Sequence, residues 1–218
     1  MSAENEPKSG GQRFSIESAR ARAQAAIQRS EFILSRAYGL FRDPKTEWEQ
    51  IKAEQTTIPN ILVGYVAPLA TIPPVCGLLG EYIFGRRIGE EVFRPELGDA
   101  LIGVAVTWVV SIALVFLLGL LIDALADNFD AERNDLGAQK VAAYSLTPAF
   151  LSGVFSLWPP LWWLSLFALA AMVLLMFRGL PILMRAPPER SLAYAASVTV
   201  AAAVAFIVLF SLASCVTG

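Results

Sequence analysis

Histidine is absent from this 218-residue chain, and cysteine occurs only twice, at Cys76 and Cys215. The first absence removes the commonest metal ligand and the commonest general base at neutral pH. Neither cysteine belongs to a CxxC pair, so no zinc site is indicated, and the thiols read as small hydrophobes. Charge is also scarce: 17% of residues are charged, and the net charge of −2 gives no reason to expect nucleic acid. No HExxH, no GxSxG and no paired intramembrane aspartates occur. The chain is therefore not expected to be an enzyme, nor to hold a metal or cofactor. No apolar stretch precedes residue 58, so no cleavable signal peptide is expected.

What the chain has instead is long apolar runs. They cover roughly residues 58–80, 100–122, 141–157, 161–177 and 191–213, in a chain that is 56% hydrophobic with a mean hydropathy of +0.55. A helix needs ~17–25 such residues to cross a bilayer. The expected fold is all-α, a polytopic five-span bundle behind N-terminal juxtamembrane amphipathic helices. Three regions follow: a disordered tail over 1–14, a cytoplasmic helical segment over 15–57, and a membrane domain over 58–213.

Lys and Arg set the orientation. Nine lie before the first run, three in the first loop, two in the second and three between the last two runs. An N-terminus placed inside puts fourteen of them on that side and three on the other. The positive-inside rule thus predicts a cytoplasmic N-terminus and a periplasmic C-terminus in an inner membrane. Trp158, Trp162 and Trp163 then gather at the outer interface, where indoles anchor helices. Cys76 and Cys215 fall near the outer ends of odd-numbered spans, which leaves a disulfide open if those spans are neighbours.

From Ser15 to Phe41 the pattern is helical. Ile16, Ala19, Ala23, Ile27, Leu34, Ala37 and Phe41 form one apolar face, with most arginines elsewhere. Such a basic helix lies on a membrane, on a cytoplasmic partner or on the protein's own inner face. Asp43-Pro44 starts a second helix with Trp48 and Ile51 on its apolar side, ending before Pro59.

The first span holds Pro68, Pro73 and Pro74. Each removes one helical hydrogen bond, leaving the carbonyls of Gly64, Leu69 and Ala70 in need of a donor. A break near Pro73 is expected, and transporters build binding sites at such breaks. The third span repeats the theme with Tyr144, Ser145, Thr147 and Pro148. Pro68, Pro73, Pro74, Tyr144, Ser145 and Pro148 are accordingly the candidate polar and kink site. Small residues at fourfold spacing suit close helix packing or self-association, on Gly103, Thr107 and Ser111 in the second span and on Ala193, Ser197, Ala201 and Ala205 in the fifth. The acidic stretch 123–140 reads as a solvated loop, because it lacks the glycine and final glutamate of a calcium loop.

Three stretches carry a family likeness: LFRDPKTEWEQI before the first span, QKVAAYSLTPAFLSGVF in the third, and FRGLPILMRAPPERSLAYAA between the fourth and fifth. Lys140, Ala143, Tyr144, Ser145, Thr147 and Pro148 bear the middle match. Together they resemble the prokaryotic branch of the Yip (Ypt-interacting protein) domain family over about residues 35–213. The resemblance implies a five-span helical domain with a cytoplasmic N-terminus, and membrane residence without a settled biochemistry. Eukaryotic members are linked to Rab-type GTPases and vesicle trafficking. Their DLYGP-like signature is absent here, so that role does not carry over. Two functions remain open. One is a membrane scaffold or adaptor that recruits a cytoplasmic protein through 15–57, with a homo-oligomer permitted. The other is a small transporter or channel using the first and third spans.

Overall fold

The structure is a computed structural model that describes residues 9–88, 91–93 and 96–217. It is helical apart from one small hairpin. Helix α1 covers Ser9–Arg42 and α2 covers Pro44–Ala53. The first apolar run is a composite of α3 (Ile58–Ile61), a π-turn (Leu62–Val66), α4 (Ala67–Ala70) and α5 (Ile72–Phe84). Strands β1 (Arg86–Ile88) and β2 (Glu91–Phe93) pair antiparallel in what the sequence presents as a plain loop. Helix α6 (Leu97–Leu125) follows, then α7 (Asp135–Ser145), α8 (Thr147–Ser152), α9 (Ser165–Leu183) and α10 (Pro188–Thr217). Two 3₁₀ segments, Gly153–Leu157 and Pro159–Leu164, make the turn between α8 and α9.

Among the described residues four helical stretches are long and apolar enough to cross a membrane: Ile58–Phe84, Leu97–Phe129, Pro160–Leu183 and Pro188–Val208. The run at 141–157 is not among them, because the turn at Leu146 and the 3₁₀ segment divide it into short pieces. Large apolar side chains such as Val63, Leu101, Val109, Phe167, Val200 and Ile207 cover the outside. A bundle as apolar outside as inside belongs in lipid.

The helix starts at Ser9 rather than Ser15, while residues 1–8 of the expected tail lie outside the described residues. The face of α1 also differs from the expected one. Ala37 of the expected face is buried, but its buried neighbours are Ile33 and Leu40, whereas Ile27, Leu34 and Phe41 are exposed. The side chains of Ile16 and Ala19 lie outside the described residues. Only the last third of α1 packs; every described side chain from Arg20 to Phe32 is exposed.

Helix α2 is seated firmly. Asp43 caps it, accepting from the Thr46 amide and from the Thr46 hydroxyl at 2.6 Å, which holds the carboxyl below the usual carboxylate range. That cap contributes above the ordinary carboxyl pKa and is lost as pH falls through the lowered one. Trp48 and Ile51 are fully buried, and the indole lies against Gly179 of α9, where an added Cβ would stand 2.8 Å from the ring. At the other end the Lys140 ammonium, from α7, donates to the carbonyl of Ile51 at 2.6 Å and to that of Glu54 at 2.7 Å. Helix C-termini leave such carbonyls without intrahelical donors, and a cation suits their partial negative charge. Arg36 of α1 closes the joint, pairing with Glu47 at 2.6 Å and Glu54 at 3.2 Å, with its side chain only 10% exposed.

The stretch 123–140 is less solvated than its acidity suggests. Asp123 is buried and accepts from the Arg133 guanidinium at 2.9 Å and from the Asn134 amide at 2.8 Å. The hydrogen bond to Asp123, with the charge of that carboxylate, raises the Arg133 pKa above the usual value. Gln139 and Lys140 are buried on α7.

Two expectations follow from these contacts. A Cβ at Gly153 would stand 2.6 Å from Pro73 Cα. Gly153→Ala should therefore lower the thermal midpoint in detergent by roughly 5 °C, an overpacking cost of ~1–3 kcal/mol; an unchanged midpoint contradicts the packing. Lys140→Met strands two carbonyls and should loosen α2, at ~1–3 kcal/mol for each unsatisfied group. Limited proteolysis checks this, because Lys52 should become a rapid tryptic site in the variant and remain slow in the wild type.

Candidate functional site

The prolines act where the sequence places them, and the Tyr144 carbonyl that Pro148 frees finds a donor. Pro68 lacks the amide that would reach Gly64, and the chain takes a π-turn over Leu62–Val66 just before it. At Thr71 the helix is interrupted two residues before Pro73. The exposed acceptor there is the Ala67 carbonyl, which receives the Trp108 indole N–H at 2.9 Å and the Thr71 hydroxyl at 3.0 Å. Pro148 frees the Tyr144 carbonyl, and the Thr147 hydroxyl donates to it at 2.8 Å. The Tyr65 hydroxyl then reaches Thr147 Oγ1, also at 2.8 Å. Because Thr147 donates its one proton to the carbonyl, Tyr65 is the donor in that pair. The breaks in the first and third runs are thus tied together.

Around this tie stand the aromatic rings. Tyr65 and Tyr144 have centroids 4.5 Å apart, Trp48 meets Tyr144 edge-on at 6.4 Å, and Phe32 meets Tyr65 edge-on at 6.5 Å. The Arg36 guanidinium lies 5.1 Å from the Phe32 centroid and 5.8 Å from that of Tyr144, within cation–π range. Three buried polar atoms have no partner among the described residues: Arg36 Nε, Trp48 Nε1 and Ser145 Oγ.

Beside this cluster opens a cavity of about 340 Å³. Gln28, Arg29 and Phe32 of α1 form one wall, and Asn60, Gly64 and Tyr65 of the first span form another. Glu54, Thr56 and Tyr144 complete it. Among the six predicted site residues, only Tyr144 lines it. Ser145 is fully buried next to it, and Pro148 is buried at the start of α8. Pro68 lies three residues beyond Tyr65. Pro73 and Pro74 are elsewhere: Pro73 packs on Gly153, and Pro74 is buried at the start of α5.

The small-residue faces fall as follows. Gly103, Thr107 and Ser111 are half-buried, and a Cβ on Gly103 would meet nothing within 4 Å. The close approach on α6 is instead at Gly119, against Gln139 of α7. On α10, Ala193 and Ser197 are exposed and Ala201 and Ala205 half-buried, while Ser191, Tyr194, Ala195 and Val198 are the buried positions. The Tyr194 hydroxyl donates to the Ile122 carbonyl. Cys76 is a half-buried free thiol, and the side chain of Cys215 lies outside the described residues.

Arg36, Glu47, Glu54 and the role of Lys140 escape a reading by hydropathy alone. A signal exists: Glu47 and Glu54 are seven residues apart and flank Ile51 on the buried side of α2. Acids sharing a helix face with buried residues call for a cation from another element.

Comparison with known proteins agrees with this architecture. The Yip1 domain family matches residues 38–210. The chain is similar to "Inner membrane protein YohC" of Escherichia coli strain K12, at 27% identity over 168 residues, covering 75% of this chain and 86% of the relative. It is equally similar to the protein of the same name from E. coli O6:H1 strain CFT073. No solved structure matches. The matched region begins within α1, at the joint that Arg36 and α2 form, and runs through α10, and the chain is a membrane protein of the Yip1 domain family.

Proposed function

We infer that this protein is a non-catalytic scaffold of a bacterial inner membrane that presents α1 to a cytoplasmic protein. The observation that carries the reading is the contrast within α1. Its last turns are clamped by Arg36, Glu47 and Glu54, while every described side chain from Arg20 to Glu31 is uncovered. The twelve-residue stretch from Arg20 to Glu31 extends ~18 Å at 1.5 Å per residue. A rigid base with an uncovered arm suits recruitment.

The reading uses five spans, an N-terminus inside and a C-terminus in the periplasm. The basic-residue asymmetry supports the orientation, as do the exposed rings of Trp158, Trp162 and Trp163 at the α8–α9 turn. The divided segment from Asp135 to Leu157 packs along α6, α9 and α5, as a fifth crossing would. Of the buried charged groups, Arg36 and Lys140 sit at the joint with the N-terminal helices and Asp123 pairs with Arg133 at the end of α6, so all three lie at span ends rather than at mid-depth, where ions on a transport path would need them. The exposed Ala193 and Ser197 favour self-association through α10.

A transporter or channel is the second reading, and the cavity beside the π-turn is the feature in its favour. Against it, Pro73 packs on Gly153 and Gly80 on the Ser156 carbonyl, which fills the seam between the first and third runs.

The test is photo-crosslinking in cells from Gln24 and Ser30 on the arm, with Lys52 on α2 as control. A discrete cytoplasmic adduct from the arm positions alone is expected, and the Ser30 adduct should be lost on deleting residues 1–26 while membrane insertion persists. Adducts to lipid and to no protein overturn the scaffold reading.

A further inference from the structure

We propose that the cavity between α1 and the first span binds the phosphodiester headgroup of a membrane lipid. Depth is the first argument. Asn60 and Gly64 lie in the first turns of the apolar stretch that starts at Ile58. Six residues of helix rise ~9 Å, so the cavity sits where headgroups meet the hydrocarbon edge. Donors are the second. Arg29 offers a forked guanidinium, and Gln28, Thr56 and Asn60 bring neutral donors to the same walls.

The third argument is an unmet hydrogen-bonding group. Tyr144 is 2% exposed and lines the cavity, and its hydroxyl makes no hydrogen bond within the described residues. The neighbouring Tyr65 hydroxyl is satisfied by Thr147, so the two tyrosines differ in this respect. A phenol at a cavity wall can donate to whatever the cavity holds, and a phosphate oxygen is a suitable acceptor. The fourth is charge. The lining itself holds one cation, Arg29, and one carboxylate, Glu54; the joint behind it adds Arg36 and Lys140 against Glu47, so the two together carry one positive charge in excess, and Arg36 keeps an unpartnered Nε there. An anion redresses that excess; a cation adds to it.

The experiment uses the full-length protein in a neutral detergent. The probes are dihexanoyl phosphatidylglycerol, glycerol 3-phosphate, inorganic phosphate, and dihexanoylglycerol, which has the chains without the phosphate. The readout is the thermal midpoint as each probe is titrated. The phosphatidylglycerol should raise the midpoint saturably, and the phosphate-free lipid should not. Arg29→Gln should weaken apparent affinity about tenfold and Tyr144→Phe about three- to tenfold. Arg20→Gln removes the same charge outside the cavity and should leave binding unchanged. Arg29 is exposed, so its variant should fold even where a Tyr144 variant does not. No saturable shift, equal affinity in Arg29→Gln, or equal loss in Arg20→Gln overturns the proposal. Equal stabilisation by glycerol 3-phosphate or inorganic phosphate assigns the site to a soluble phosphate and overturns the lipid source.

Discussion

The contact on which this architecture turns is the Lys140 ammonium against the end of α2. An amine almost fully removed from solvent has three protons to place, and two go to the carbonyls of Ile51 and Glu54. Those carbonyls are the unsatisfied end of a helix, so one interaction answers both a desolvated cation and desolvated acceptors. The consequences spread outward. Fixing the end of α2 sets Trp48 against Gly179 and Tyr144. It also presents Glu47 and Glu54 to Arg36, which fixes the last turns of α1. The joint is polar and buried, a combination that favours one geometry over near alternatives, because each partner lost leaves a charge stranded.

The second constraint is backbone hydrogen bonding in lipid. Water cannot rescue a carbonyl that proline has released in the hydrocarbon region. At these breaks the chain supplies the Thr147 hydroxyl to the Tyr144 carbonyl and the Trp108 indole and Thr71 hydroxyl to that of Ala67, and it forms a π-turn beside Gly64. The donors come partly from other helices, so the breaks are also cross-links. Tyr65 to Thr147 joins the first and third runs at their most irregular points. Irregularity here stiffens the packing rather than loosening it.

Hydropathy and the proline positions made the apolar runs, the helical N-terminal segment, the start of α2 and the break near Pro73 legible. The rest was hidden for identifiable reasons. The face of α1 is misread because Ile33 and Leu40 compete with Ile27, Leu34 and Phe41, and periodicity cannot rank two apolar faces on one helix. Alanine-based spacing pointed to Ala193 and Ser197, whereas bulky Tyr194 and Val198 pack, because the Tyr194 hydroxyl has a carbonyl to reach at Ile122. The third apolar run is continuous in composition, yet Pro148 divides its backbone at Leu146. Tyr144, which lines the cavity, was singled out in the sequence through Pro148. Arg29, Glu54 and Asn60 were not, since only the fold brings three charged or polar residues from separate segments to one cavity.

If α1 recruits a partner and the cavity takes a headgroup, as proposed, the two sites are coupled. Arg29 and Phe32 belong to α1, Asn60 and Tyr65 to the first span, and the cavity lies between them. Whatever occupies it touches both bodies and favours the seated geometry of α1 over any other. Linkage then runs both ways: a ligand that holds the arm in place binds more tightly once a partner has done the same. Arg36 makes the coupling stiff, because its ion pairs reach across the joint from the same helix that supplies Arg29, seven residues away along one face. A recruitment arm whose base senses headgroup chemistry would engage its partner only where the surrounding lipid fits, and this layout requires no moving catalytic part to do so.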